Sequence, residues 1–156
     1  MKVIILRNLA ILLIVIQLIP YGRRHDNPPV VSEPNWDSPD TRELFYQACK
    51  DCHSNETTWP WYSHIAPVSW LVQHDVNDGR EHFNVSEWGV QKKNEGEEAA
   101  EELREGEMPP WFYYIPRLDK KLSKLEMKKL NDGLIATFGE ELDHGDHDDD
   151  DDKNDD

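Results

Sequence analysis

Cys49, Cys52 and His53 stand together in the stretch ACKDCH, and theirs are the residue types and spacing most suited to chemistry in this chain. No other cysteine occurs. On a helix, positions i and i+3 share one face, so the two thiols can reach two sites on a single planar ligand. His53, four residues after Cys49, can then point at that ligand's centre. Those are the needs of covalent haem attachment, in which two thiols add to two vinyl groups and a histidine nitrogen ligates iron. C-x-x-C-H is the signature of that arrangement, and the expected cofactor is one haem c with its iron.

Three other chemistries compete for the same residues. A disulfide between Cys49 and Cys52 would close a very short loop and stabilise little. A zinc site wants four ligands and would have to recruit several of His53, His64, His74 and His82. A thioredoxin-like dithiol wants a βαβ context, and no run here alternates well enough to be a strand.

The elements that must position these residues read as helices. Ser38 followed by Pro39 is an N-cap with proline at the first helical position, after which Leu44, Phe45, Ala48, Cys49 and Cys52 recur at helical spacing. The cysteines therefore fall on a helix or at its end. A second helix is expected over about residues 68–80, with Leu71, Val72 and Val76 apolar and Gly79 near its C-terminus. A third, over about 94–104, is so acidic that most of its faces must be solvated. The last has a capping box in Ser123 and Glu126, a stripe of Met127, Leu130, Leu134 and Phe138, and Gly139 at its stop. The expected fold class is a small all-α domain over residues 38–142, without internal repeats.

The N-terminal stretch MKVIILRNLAILLIVIQLIPYGRR has a basic start and an apolar run from Leu9 to Ile19. That run matches the hydrophobic region of a signal peptide and is short for a span of about 20 residues. No small-x-small cleavage pattern follows it. Residues 1–24 are accordingly expected to be a signal peptide or an uncut membrane anchor, with the domain outside the cytoplasm. Residues 25–37, HDNPPVVSEPNWD, are polar and proline-rich and read as a linker or an extended strap.

The formal charge is −15; residues 143–156 contribute −8 and the first 24 residues +4, leaving −11 on residues 25–142. An acidic body repels phosphate backbones, so nucleic acid is not an expected partner, whereas basic proteins or cations could be drawn toward it; charge alone does not name the partner. The tail from Asp143 onward, with Asp146 and His147 among its aspartates, is expected to be disordered and could capture cations weakly.

The C-x-x-C-H motif, followed by HSNETTWPWYSHIAPVSWLV, then GREHFNVSEW and later GEMPPWFYY, resembles the cytochrome c-like haem-binding domain family of bacterial envelope proteins. The likeness covers about residues 40 to 138. It implies a periplasm-facing haem module with a cytochrome c-like helical fold and a role in electron transfer with an unidentified redox partner, not catalysis. It also implies that Met108, in the loop between the third and last helices, is the distal iron ligand opposite His53. His74, one turn after Trp70, is a rival for that place, as less strongly are His64 and His82. With an open distal site the protein would instead be a haem enzyme or sensor acting on peroxide or a diatomic gas.

Trp59, Trp61, Tyr62, Trp70, Trp88, Trp111, Phe112, Tyr113 and Tyr114 gather near the two ligand segments in sequence. They suit either a ring of flat side chains around a porphyrin or the core of a small domain. Arg80 reads as a partner for a haem propionate or, more simply, a solvated helix end.

Overall fold

A computed structural model describes residues 1–139, so the acidic tail, with Asp146 and His147, lies outside the described residues. The helices are α1 (Lys2–Val15), α2 (Pro39–Ala48), α3 (Lys50–His53), α4 (Val68–His82), α5 (Ala99–Glu105) and α6 (Lys124–Phe138), joined by loops and short 3-10 turns. No strand forms among the described residues; one isolated parallel bridge joins Ser32 to Glu87. The all-α class expected from the sequence is the class observed.

Two helix starts obey their capping residues. Ser38 Oγ accepts from the Thr41 amide at 3.2 Å and Pro39 occupies the first turn of α2. At α6 the box closes in both directions, Glu126 N–H to Ser123 Oγ at 3.3 Å and Ser123 N–H to Glu126 Oε2 at 2.7 Å. The cysteines, expected on a helix or at its end, are placed so: Cys49, with a φ of −115°, ends α2, and Cys52 lies in α3. The acidic helix is shorter than its charge pattern suggested. A 3-10 turn over Gly96–Glu98 precedes α5, which still buries Ala100 and Leu103.

The core lies between α2, α5 and α6, with Phe83 and Val85 entering from the segment after α4. Phe45, Leu130 and Leu134 are almost fully buried, each contributing on the order of 2 kcal/mol of transfer free energy. Trp36, Trp88 and Phe138 close one side, Trp88 stacking on Phe138 with ring centroids 4.5 Å apart. Of the aromatic residues that gather near the ligand segments in sequence, Trp88 thus belongs to the core. Trp61 and Trp111 are exposed instead.

Ahead of α2 the chain runs along the domain. The Gln17 side chain both donates to the Ala66 carbonyl at 2.9 Å and accepts from the Ala66 amide at 3.0 Å. Farther on, His25 stacks on Trp59, Asn27 Nδ2 donates to the Thr57 carbonyl, and the amides of Val31 and Ser32 share the Ser86 carbonyl. Glu33 ends this strap on α2 with two hydrogen bonds from Arg42. Helix α1 buries none of its residues. It has 14 residues where about 20 span a bilayer, and no helix among the described residues is long and apolar enough to cross a membrane.

Candidate functional site

A cavity of about 410 Å³, within the range of small-molecule and cofactor sites, opens beside the junction of α2 and α3. Cys49, Cys52, His53 and Met108 all line it, so the motif and the distant methionine meet at one space. Phe45, Leu103, Leu134 and Phe112 supply apolar wall.

The break at Cys49 builds the turn that presents the motif. The Cys49 amide still donates to the Phe45 carbonyl at 2.8 Å, while the Cys49 carbonyl accepts from Cys52 and His53 at 3.2 and 3.1 Å. Both cysteines are free thiols, partly open to the cavity and otherwise enclosed. Burial pushes each thiol up to about 12, helped at Cys49 by Cys52 and at Cys52 by Asp75 and Asp51. Helix α4 passes so near this turn that a Cβ on Gly79 would lie 2.8 Å from the Cys52 carbonyl oxygen. Gly79 lies near the C-terminus of α4, as expected from the sequence, and lets the helix approach the turn; α4 runs on to His82.

His53 is held by Phe83 and Val85, just beyond the end of α4. Its Nδ1 lies 3.3 Å from the Phe83 carbonyl, its ring stacks on Phe83 at 4.2 Å, and its own carbonyl accepts from Val85 N–H at 2.9 Å. A carbonyl can only accept, so the ring proton belongs on Nδ1 and Nε2 keeps a lone pair for a metal. Burial pulls the imidazole down to about 4, against the hydrogen bond to Phe83, so His53 is neutral near pH 7 and ready to coordinate.

Met108 reaches the cavity through the end of α5. Gly106 takes a φ of +80°, a conformation that favours glycine, and the amides of Glu107 and Met108 both donate back to the Glu102 carbonyl. Pro109, Pro110, Phe112 and Tyr113 then continue the cavity wall. Asp75, Asp78, Glu95, Glu98 and Glu102 give that wall an acidic side. Burial raises the Asp75 carboxyl, as it does Glu102, where Glu107 and Glu105 add repulsion.

The rival histidines are placed differently from one another. His74 is exposed on α4 and is absent from the cavity lining. His64 packs edge-on against His25. His82 does line the cavity, engaged with Glu95. Among the described residues no three His, Cys, Asp or Glu side chains form a metal cluster.

Arg80 is no solvated helix end, and it is not among the lining residues. Its guanidinium donates to the Ser54 carbonyl (2.8 Å), Thr57 Oγ1 (2.9 Å), the Asp26 carbonyl (3.1 Å) and Asn27 Oδ1 (3.2 Å), joining the strap to the segment after His53. Sequence reasoning also passed over Asp51, between the cysteines. Its carboxylate is buried and receives Tyr113 OH at 2.8 Å and Arg117 Nη2 at 3.0 Å. An acidic residue inside the motif was the only available signal, and its partners lie far along the chain.

The residues present fit a haem: two thiols on one turn, a neutral histidine with a fixed tautomer, a soft sulfur and a largely apolar enclosure. No curated protein and no solved structure matches the chain. The family model described as a haem-binding domain matches residues 11–135, taking in the end of α1, the strap and all of the cavity. The chain thus belongs to the haem-binding domain family.

Proposed function

We propose that the haem is held covalently as haem c through thioether bonds to Cys49 and Cys52, with His53 as proximal ligand and Met108 as distal ligand. The observation that carries this reading is that Met108, from a separate part of the chain, lines the same cavity as Cys49, Cys52 and His53. A bound haem supplies a one-electron couple, which methionine opposite histidine sets at a raised potential. The protein's own part is to hold and shield. The Phe83 carbonyl fixes the His53 tautomer, and Phe45, Leu103 and Leu134 restrict water.

The chain would then act as an electron carrier on the periplasmic side of a membrane, passing electrons to a redox partner protein without bond-making on a substrate. Its exposed α1, apolar but for Lys2, Arg7 and Asn8, supports attachment to that membrane. Protein matured with c-type haem machinery is expected to keep its haem on a denaturing gel, and Cys49→Ala with Cys52→Ala to lose it. The Met108→Ala protein should change its absorption spectrum and, once reduced, bind carbon monoxide that the parent resists. Haem released by denaturant would sink covalent attachment, and carbon monoxide uptake by the parent would favour a gas-binding or peroxide-using site.

A further inference from the structure

We infer that Asp51 is a positioning residue for the haem site, its carboxylate latching the loop after Met108 onto the turn that carries Cys49, Cys52 and His53. The inference rests on the reading of that turn as the attachment turn, and it extends the site to a residue that is neither anchor nor ligand.

A charged side chain in the middle of C-K-D-C-H has every reason to face water, since the flanking thiols and histidine face the cavity. Asp51 does the opposite and is 5% exposed. Oδ1 accepts from the Thr58 amide at 2.9 Å, which folds the Ser54–Thr58 segment back on the turn. Oδ2 accepts from Tyr113 OH at 2.8 Å and from Arg117 Nη2 at 3.0 Å. The Asp51 carbonyl takes a further bond from Thr57 Oγ1 at 2.8 Å. Arg117 is itself nearly enclosed, its side chain 12% exposed.

A buried carboxylate persists only when it is paired and hydrogen-bonded, and removing one partner strands the other. The latch is therefore closed or costly. What it closes is the Met108 side of the cavity, because Tyr113 and Arg117 lie just downstream of Met108, across Pro109 and Pro110. Proline fixes φ at both positions, so holding Tyr113 narrows the places that Met108 can occupy. The same carboxylate sits one residue from Cys52. One side chain thus registers the two halves of the site against each other.

The test uses full-chain holoprotein bearing Asp51→Asn, Arg117→Gln, both together, or Tyr113→Phe. Asparagine keeps the size but loses the charge that Arg117 answers. Amide hydrogen exchange at Tyr113, Ile115 and Arg117, whose N–H groups bond within this loop, is expected to accelerate about tenfold or more in Asp51→Asn, and in the double variant no further. Amides of α2, α4 and α6 should keep their protection. Tyr113→Phe removes a single hydrogen bond and is expected to give a smaller acceleration at the same amides, which keeps the test informative if Asp51→Asn does not fold.

Unchanged exchange in the loop, or an acceleration spread evenly through α2, α4 and α6, overturns the latch. Carbon monoxide uptake is measured on the same samples beside Met108→Ala. Uptake in Asp51→Asn midway between parent and Met108→Ala supports the latch acting on the distal side. If Met108→Ala takes up no more than the parent, the distal-ligand reading fails by itself, and loop exchange still decides the latch.

Discussion

Glu33 illustrates how a single side chain fastens the strap. Arg42 donates to it twice, at 2.8 and 2.9 Å, and Trp36 and Tyr46 once each at 3.2 Å. The hydrogen bond from Arg42 is the chief reason that its carboxyl lies below the ordinary 4.5, burial opposing. The folded carboxyl thus releases its proton more readily than the unfolded one. Its contribution is complete above pH 4.5 and disappears as pH falls through the lowered value. Glu33→Gln is expected to cost about 1–2 kcal/mol at pH 7, a figure reduced for the solvent that reaches Arg42. In chemical denaturation against pH, the gap between parent and variant should close below pH 4.5. At this scale the motif was legible because C-x-x-C-H is local, its geometry set by one turn of backbone. Asp51 and Arg80 were not legible, since what distinguishes them is a set of acceptors and donors drawn from remote segments, which no local pattern encodes.

Helices were legible in proportion to how far their ends are written in their own residues. The N-termini of α2 and α6 could be read from Ser38, Pro39, Ser123 and Glu126, because capping satisfies donors only a few residues away. The break at Cys49 and the true length of α4 could not, because packing decides both. Gly79 carries the clearest consequence. With Cys52 Cβ 2.9 Å from where a methyl group would stand, Gly79→Ala must push α4 off the turn that carries Cys49, Cys52 and His53. A loss of about 1–3 kcal/mol is expected from this overpacking, along with weaker haem staining per protein. Thermal denaturation and a haem-stained gel measure the two together, and normal values for both would mean that α4 can shift without disturbing the site.

Over the whole molecule, the strap and α1 divide sharply in how they are packed. Residues 17–33 are bonded to the domain at Ala66, Thr57, Ser86 and Arg42, whereas α1 exposes Val3, Ile4, Leu12 and Ile14 among others. A helix apolar but for Lys2, Arg7 and Asn8, with none of its residues buried, suits a lipid environment. Full-length protein is expected to float with phospholipid vesicles, and Leu12→Asp with Val15→Asp to leave most of it in solution. If the doubly substituted chain floats equally well, α1 is not what holds it there.

The cavity, finally, is assembled from residues as far apart as Phe45 and Leu134. A chain emerging N-terminus first therefore exposes Cys49, Cys52 and His53 well before Leu103, Met108 and Leu134 arrive to enclose them. During that interval the two thiols lie on a segment that the later residues have yet to enclose. Under the proposed covalent attachment, late arrival of the C-terminal half would give that reaction its window and then close it.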